Sequence, residues 1–300
     1  MKVTNKLHLP TSIAQAVMND PYTRGASDIS CTTLIGPARK RVLEQRNFDK
    51  LEVDVADRIW SLYGQIVHGI LERADLKDDK IVTERRLFID RHGWRLSGQF
   101  DRLILASSTA LGTTLQDYKF TSVWTAKELK PEHEAQQNIY RLMLKEHGYP
   151  VDTLQIVCIL RDWSKIQARL RGPDSYPQKA VVVLDVPVWD YEKTETYIHD
   201  RLKAHGEAQH TLPECDAEER WESDSIWKVR RKGNKLFAVK GHAKHTTETG
   251  ALDAAAELKA ATGKEHVVEF YQGESRRCQD YCEAAAFCDQ YQKTKPALGL

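Results

Sequence analysis

The stretch 98-GQFDRLILASSTALGTTLQDYKFTS-122 decides how this chain is read. Two β-type apolar runs carry Asp101, Asp117 and Lys119 at positions that otherwise look like sheet core. An ionised group is costly in a core unless it is paired or bound to a metal. Side chains alternate along a strand, so Asp117 and Lys119 project to one side and Tyr118 to the other. If the strand bearing Asp101 runs antiparallel beside this one, the two carboxylates converge on one divalent cation, and oxygen donors of this kind suit Mg²⁺ or Mn²⁺. Such an ion activates water and polarises a phosphate. Lys119 would hold the attacking hydroxide or stabilise charge on phosphoryl oxygens. An Asp and a Lys two apart on an edge strand also form plain solvated pairs, so the flanking elements must decide.

Upstream, DVADRIWSLYGQIVHGILERADL places Ile59, Leu62, Ile66, Ile70 and Leu71 at helical spacing, which predicts a helix with one apolar face. Gly64, His68 and Glu72 lie on a neighbouring stripe. The segments KIVTERRLFID, WRLSGQFDRLILA and GTTLQDYKF predict a three-stranded meander. A helix follows in KPEHEAQQNIYRLMLKEHGYP, with Pro131 at its start; then come strands in VDTLQIVCILRDW and KAVVVLDVPVW and a helix in DYEKTETYIHDRLKAHGEA. Shorter helices are expected in TSIAQAVM and ARKRVLEQR. The composition changes near residue 211, which divides the chain into a core over 1–210 and a small α+β module over 211–300. In that module IWKVRRKGNKLFAVKGHAKHT reads as a basic hairpin, ALDAAAELKAATG as a helix ended by Gly263, and HVVEFYQG as a strand.

The 300 residues are 41% hydrophobic and 29% charged with a formal net charge of +1, an ordinary globular composition. No run approaches the roughly 20 apolar residues that span a bilayer, and the first residues lack a secretory signal pattern, so a cytoplasmic location is expected, with no membrane. Near-neutral charge means that any attraction to nucleic acid must come from local patches. Residues 228–245 contain seven Lys or Arg, two His and no acidic residue. Arg230, Arg231, Lys232, Lys235 and Lys240 are the candidate phosphate contacts there, of a kind that binds without reading sequence. Trp227 and Phe237 could stack on unpaired bases or pack against their own helix.

Taken in order, GQIVHGILE (Gly64, His68, Glu72), VTERRL (Glu84), GQFD (Gly98, Asp101), QDYK (Asp117, Lys119) and QQNIY (Gln136, Tyr140) resemble the motif series of the PD-(D/E)XK nuclease superfamily, and within it the RecB-like exonucleases. The resemblance covers roughly residues 30 to 160. It implies an α/β, restriction-endonuclease-like core: helix, three-stranded meander, helix, strand, in a mixed sheet flanked by helices. It further implies His68, Asp101 and Asp117 as ligands of Mg²⁺ or Mn²⁺ with the Tyr118 carbonyl, Lys119 as the catalytic lysine, and Gln136 and Tyr140 as groups that line the site and position DNA. Glu72 and Glu84 would support the ligands from behind. The implied activity is hydrolysis of DNA, favouring exonuclease action on ends or single strands, in repair, recombination or phage genome processing, with a possible helicase or recombination partner. A structure-specific endonuclease is the nearest alternative, and a non-catalytic nucleic-acid-binding protein with a relic site is the competing class.

The tail RCQDYCEAAAFC sets Cys278, Cys282 and Cys288 at spacings similar to RecB-like nucleases that carry a 4Fe–4S cluster; Zn²⁺ is the alternative. Four ligands are required and three are visible. Where relatives place a distant cysteine in a CPR-like segment, this chain has Gly36 in GPAR. Cys215 is the preferred fourth ligand, because it would clamp the base of the second module, and Cys31 is the alternative. Cys158 reads as a buried apolar residue.

Overall fold

The computed structural model describes residues 1–20, 25–75, 78–107, 112–234 and 238–294. It divides into two compact units, Met1–Pro213 and Glu214–Leu300.

In the first unit the strands are β1 (Lys2–Thr4), β2 (Ile29–Ser30), β3 (Glu52–Asp54), β4 (Ile81–Thr83), β5 (Arg86–Arg91), β6 (Trp94–Gln99), β7 (Arg102–Ile104), β8 (Thr114–Thr121), β9 (Thr153–Leu160) and β10 (Val181–Val186). The helices are α1 (Thr11–Met18), α2 (Cys31–Ile35), α3 (Ala38–Arg46), α4 (Ile59–Asp75), α5 (Pro131–Glu146), α6 (Lys165–Arg171) and α7 (Tyr191–Thr211). The unit is α/β, with a mixed five-stranded sheet ordered β10-β9-β8-β7-β4. Strands β8 and β9 are parallel and the other neighbours antiparallel; α5 is the crossover that a parallel pair requires.

Alternation along β8 assigns its two faces. Leu115 and Asp117 are buried in the core that includes Ile139 and Met143 of α5. On the opposite side, the Tyr118 ring meets His68 and the Phe120 ring meets Tyr63, both on α4. Helices α5 and α4 thus flank β8 on opposite faces. Helix α5 begins with Pro131 in its first turn beside Glu132 and Glu134, where the missing N–H costs nothing and negative charge suits the helix dipole.

The expected meander does not stay in one sheet. KIVTERRLFID breaks at Glu84 into β4 and β5, and WRLSGQFDRLILA breaks at Phe100–Asp101 into β6 and β7. The β4–β7 pair belongs to the five-stranded sheet, whereas the β5–β6 hairpin joins β2 in a separate three-stranded sheet. The two breaks face each other: Glu84 N–H donates to the Asp101 carbonyl at 3.0 Å, and Glu84 holds a positive φ of 47°. One left-handed residue is a local way to bend a ribbon out of its sheet.

The apolar stripe expected to bury α4 also differs. None of its residues is fully buried, and Ile66 and Ile70 are 48% and 51% exposed. Periodicity correctly marks the helix but does not say what covers it.

In the second unit β11 (Ile226–Arg231) pairs antiparallel with β12 (His266–Tyr271), and α8 (Glu248–Thr262) packs on them through Ala251 and Ala254. Thr247 caps α8 by accepting from Gly250 N–H, and Gly263 ends it at φ 67°, a left-handed stop that glycine adopts freely. The return arm of the expected hairpin is no regular strand; it meets β11 through bridges at Arg230–Ala238 and Trp227–His245. A short α9 (Asp289–Thr294) follows the last cysteine. No described helix is long and apolar enough to cross a membrane.

Candidate metal centre

The ribbon break creates a group that local sequence does not display. His68 from α4, Glu84 from the β4–β5 break and Asp101 from the β6–β7 break each direct a donor atom into one space, all within 4.8 Å of one another. His68 Nδ1 lies 3.1 Å from Glu84 Oε1 and 3.7 Å from Asp101 Oδ1. Asp101 is held from the other side, because Tyr118 N–H donates to its Oδ2 at 2.6 Å. Strand β7 begins only at Arg102, paired with Gln116, so the Asp101 carboxylate takes the β8 donor that a longer strand would have used. The N–H and C=O of one strand residue leave on the same side, which turns the Tyr118 carbonyl toward the same gap.

Asp117 and Lys119 approach from the α5 face. Asp117 is 2% exposed, its Oδ2 accepts no aligned hydrogen bond, and the Lys119 ammonium faces that oxygen as an ion pair. Asp117 stands beside the convergent group, outside the set that lies within 4.8 Å, and its charge raises Asp101. Glu84 stands in the group itself, with Gln99 Nε2 donating to its Oε2 at 2.9 Å and Arg86 donating to Gln99 at 2.7 Å. Glu72 is half-buried on α4 and makes no hydrogen bond or ion pair among the described residues.

The electrostatics are those of crowded, buried and half-buried carboxylates. Burial first, and then the Asp117 charge, push the Asp101 carboxyl up to about 7, against the opposing effects of Lys119 and His68. The hydrogen bond that His68 donates to Glu84 raises His68, with burial opposing it. Burial would raise Glu84, but the bonds from His68 and Gln99 hold it below the ordinary range. Burial works against the Lys119 charge, yet Asp117 and Asp101 keep it above its usual value. Crowded carboxylates and a His/carboxylate donor set suit Mg²⁺ or Mn²⁺.

Gln136 and Tyr140 lie in the core, 7% and 4% exposed, with Gln136 Nε2 donating to the Tyr140 hydroxyl at 3.0 Å. At that depth they cannot touch DNA; they back the site from behind β6 and β8. Strand β6 approaches so closely that a Cβ on Gly98 would stand 2.6 Å from the Tyr140 ring. His133 was not singled out from sequence. It shares the α5 face with Gln136 and Tyr140, and burial together with the Lys119 charge lowers it to about 4; its i, i+3, i+7 spacing with them was the available signal.

Cys31 is buried in the core of the first unit, beside Tyr140 and within reach of the Asp117 charge, and burial pushes its thiol up. Cys158 is buried on β9. In the second unit, Gln290 brackets Cys215 by accepting from its N–H at 2.9 Å and donating to its carbonyl at 2.8 Å. Gln290 lies two residues beyond Cys288, and burial followed by the nearby Cys288 raises the Cys278 thiol. Cys282 is half-buried in the same tail. Tetrahedral zinc, with Zn–S of about 2.3 Å, sets sulfurs about 3.8 Å apart. No three of the cysteines meet within 4.8 Å among the described residues.

Among the described residues, two of the seven cations of the basic patch are paired with acids brought by the neighbouring strand and its approach. Arg230 pairs with Glu269, and Lys232 with Glu265 at 2.7 Å. Arg231 and Lys240 are exposed. Trp227 packs on the α8 cluster and against Phe270. Lys235 and Phe237 lie outside the described residues.

No family model and no curated protein matches the chain. Among solved structures it is similar to the crystal structure of SSO0001, with a TM-score of 0.42 and 16% identity over 64% of this chain and 83% of that one. A likeness so distant adds nothing to the reading of the site.

Proposed function

We propose that the chain is a metal-dependent deoxyribonuclease with a RecB-like, restriction-endonuclease-type core, which hydrolyses phosphodiester bonds from DNA ends. The observation that carries this reading is the convergence of His68, Glu84 and Asp101 beside Asp117 and Lys119, at the positions of the five motifs in their order along the chain. Mg²⁺ or Mn²⁺, held by His68, Glu84, Asp101 and Asp117 with the Tyr118 carbonyl, would supply acidified water and neutralise phosphate charge. Lys119 presents a fixed positive charge to phosphoryl oxygens. Asp117 keeps that ammonium charged and in place, and Gln99 fixes the rotamer of Glu84. Exonuclease action, a role in repair, recombination or phage genome processing, and a helicase or recombination partner belong to this proposal by family resemblance.

A 4Fe–4S cluster in the second unit is part of the same reading. It is supported by the Gln290 bracket that holds Cys215 near Cys288. Each thiolate of such a cluster sits on its own iron, and Zn²⁺ is the alternative. Brown protein with a visible absorption band and stoichiometric iron is the expected result; colourless protein containing zinc would refute it.

The enzymatic test incubates the full chain with linear and closed-circular DNA, with Mg²⁺, Mn²⁺ or chelator, beside Asp117→Ala. Loss of linear DNA alone, dependent on metal and on Asp117, is expected. Cutting of the circle would instead support the structure-specific endonuclease, and survival of both substrates in every lane would leave a nucleic-acid-binding protein with a relic site.

A further inference from the structure

The exposed aromatic side chains of the first unit are not scattered. Trp60 on α4 is 56% exposed and Trp124, just beyond β8, is 54% exposed. Each carries a cation on its ring. The Arg161 guanidinium lies 3.9 Å from the Trp60 centroid, while Lys127 and Arg171 lie 4.8 and 5.6 Å from that of Trp124. A file of edge contacts leads inward, from Trp60 to Tyr63 at 5.7 Å and from Tyr63 to Phe120 at 6.2 Å. Phe120 shares its face of β8 with Tyr118, whose ring meets His68.

The two tryptophans belong to one surface at the carboxyl end of the parallel pair β8–β9. Arg161 N–H donates to the Thr121 carbonyl at 2.9 Å, and Asp162 accepts from Val123 N–H at 2.8 Å. The segment after β9 is thereby tied to the segment after β8, and open α/β sheets bind ligands outside the carboxyl ends of their strands. Exposed indoles stabilise nothing by burial, and a cation at each ring adds charge of the sign that phosphate requires. Flat π-faces accompanied by Arg and Lys are the chemistry that holds unpaired bases and their backbone. Duplex bases are already stacked on one another and cannot offer their faces.

We infer that the surface formed by Trp60, Tyr63 and Trp124 with Arg161, Lys127 and Arg171 is a stacking platform for single-stranded DNA, which delivers an unpaired end toward the metal group. The delivery step rests on the nuclease reading, whereas the binding step does not. The nucleic-acid contact is thus assigned to the first unit itself.

The test measures fluorescence anisotropy of a short labelled DNA strand, and of the same strand annealed into a duplex, with the full chain and chelator present so that no cleavage intervenes. Trp60→Ala and Trp124→Ala are each expected to raise the Kd for the single strand about tenfold, the effect of one lost base stack, and to change duplex binding much less. Trp60→Phe keeps a π-face and is expected to restore most of the affinity. Circular dichroism and Tm exclude misfolded variants. Folded Ala variants that bind the single strand as wild type does, or that lose both forms equally, overturn the platform. Intact discrimination in a protein that cleaves no DNA with any metal would keep the platform and remove the nuclease reading; cleavage indifferent to both tryptophans would do the reverse.

Discussion

Gly98→Ala is the most direct test of how the metal group is supported. A Cβ at this position would stand 2.6 and 2.9 Å from Tyr140 Cε1 and Cδ1 and 2.9 Å from Met143 Sδ. Ordinary carbon contacts lie near about 3.5 Å, so the strand or the ring must give by nearly an ångström. The ring has little room: Tyr140 is enclosed and its hydroxyl is held by Gln136. Overpacking of this kind costs about 1–3 kcal/mol. Replacing a strand glycine by alanine returns about 0.5–1 kcal/mol of backbone entropy. The clash outweighs the gain over most of these ranges, leaving a net loss of about 0–2.5 kcal/mol. In urea unfolding followed by circular dichroism this appears as a lower midpoint at unchanged slope. Metal-dependent cleavage should fall with it, since the next residue, Gln99, holds Glu84. In a Tyr140→Ala background the cost should largely vanish, because the Met143 thioether can yield. A Gly98→Ala protein as stable as wild type, with no coupling to position 140, would refute the close approach of β6 to α5.

Three further outcomes are expected. The Asp101 carboxyl, near about 3.9 when unfolded and up to about 7 when folded, makes the metal-free fold bind the extra proton between those values. Its contribution to stability is therefore full at low pH and lost as pH rises through 7. Mn²⁺ binding, which requires the ionised form, should weaken as pH falls below 7 by calorimetry, and a pH-independent affinity would count against Asp101 as a ligand. At Glu84, with φ of 47°, the glycine variant should be more stable than the alanine variant by about 1 kcal/mol, although both lose metal affinity; the reverse order would deny the left-handed break. Gln137 is fully buried and neither its amide nitrogen nor its oxygen has a partner among the described residues, so Gln137→Met should raise stability by about 1–2 kcal/mol in thermal unfolding, and a drop would point to a partner.

The legible part of this protein is local. Alternation puts Asp117 and Lys119 on one face of β8, Pro131 opens α5 and Gly263 closes α8, because each depends on a few adjacent residues. The illegible part depends on partners distant in sequence. RRLFID and WRLSGQ alternate as any strands do, and nothing local says that they leave the sheet of β4 and β7 for that of β2. The stretch 228–245 holds no acid, yet β12 brings Glu265 and Glu269 against Lys232 and Arg230. The resemblance places Glu84 behind the ligands, whereas the facing breaks put its carboxylate within 4.8 Å of the donor atoms of Asp101 and His68.

That break also explains why the charges gather where they do. A regular β7 extending through Asp101 would have satisfied Tyr118 N–H with backbone and directed the carboxylate along the pleat. Ending β7 at Arg102 gives the donor to the Asp101 side chain instead. The left-handed turn at Glu84 brings a second carboxylate to the same gap, with His68 facing both from α4. Without a cation the arrangement is unfavourable. Holding Asp101 ionised against a folded value of about 7 costs about 4 kcal/mol relative to the unfolded chain, a balance that already includes the His68 contact and the Tyr118 hydrogen bond. A solvated surface pair would carry no such penalty, since water would screen it. On the proposed reading a divalent ion would favour both ionised carboxylates and leave the Lys119 charge to act on the anion that the ion attracts.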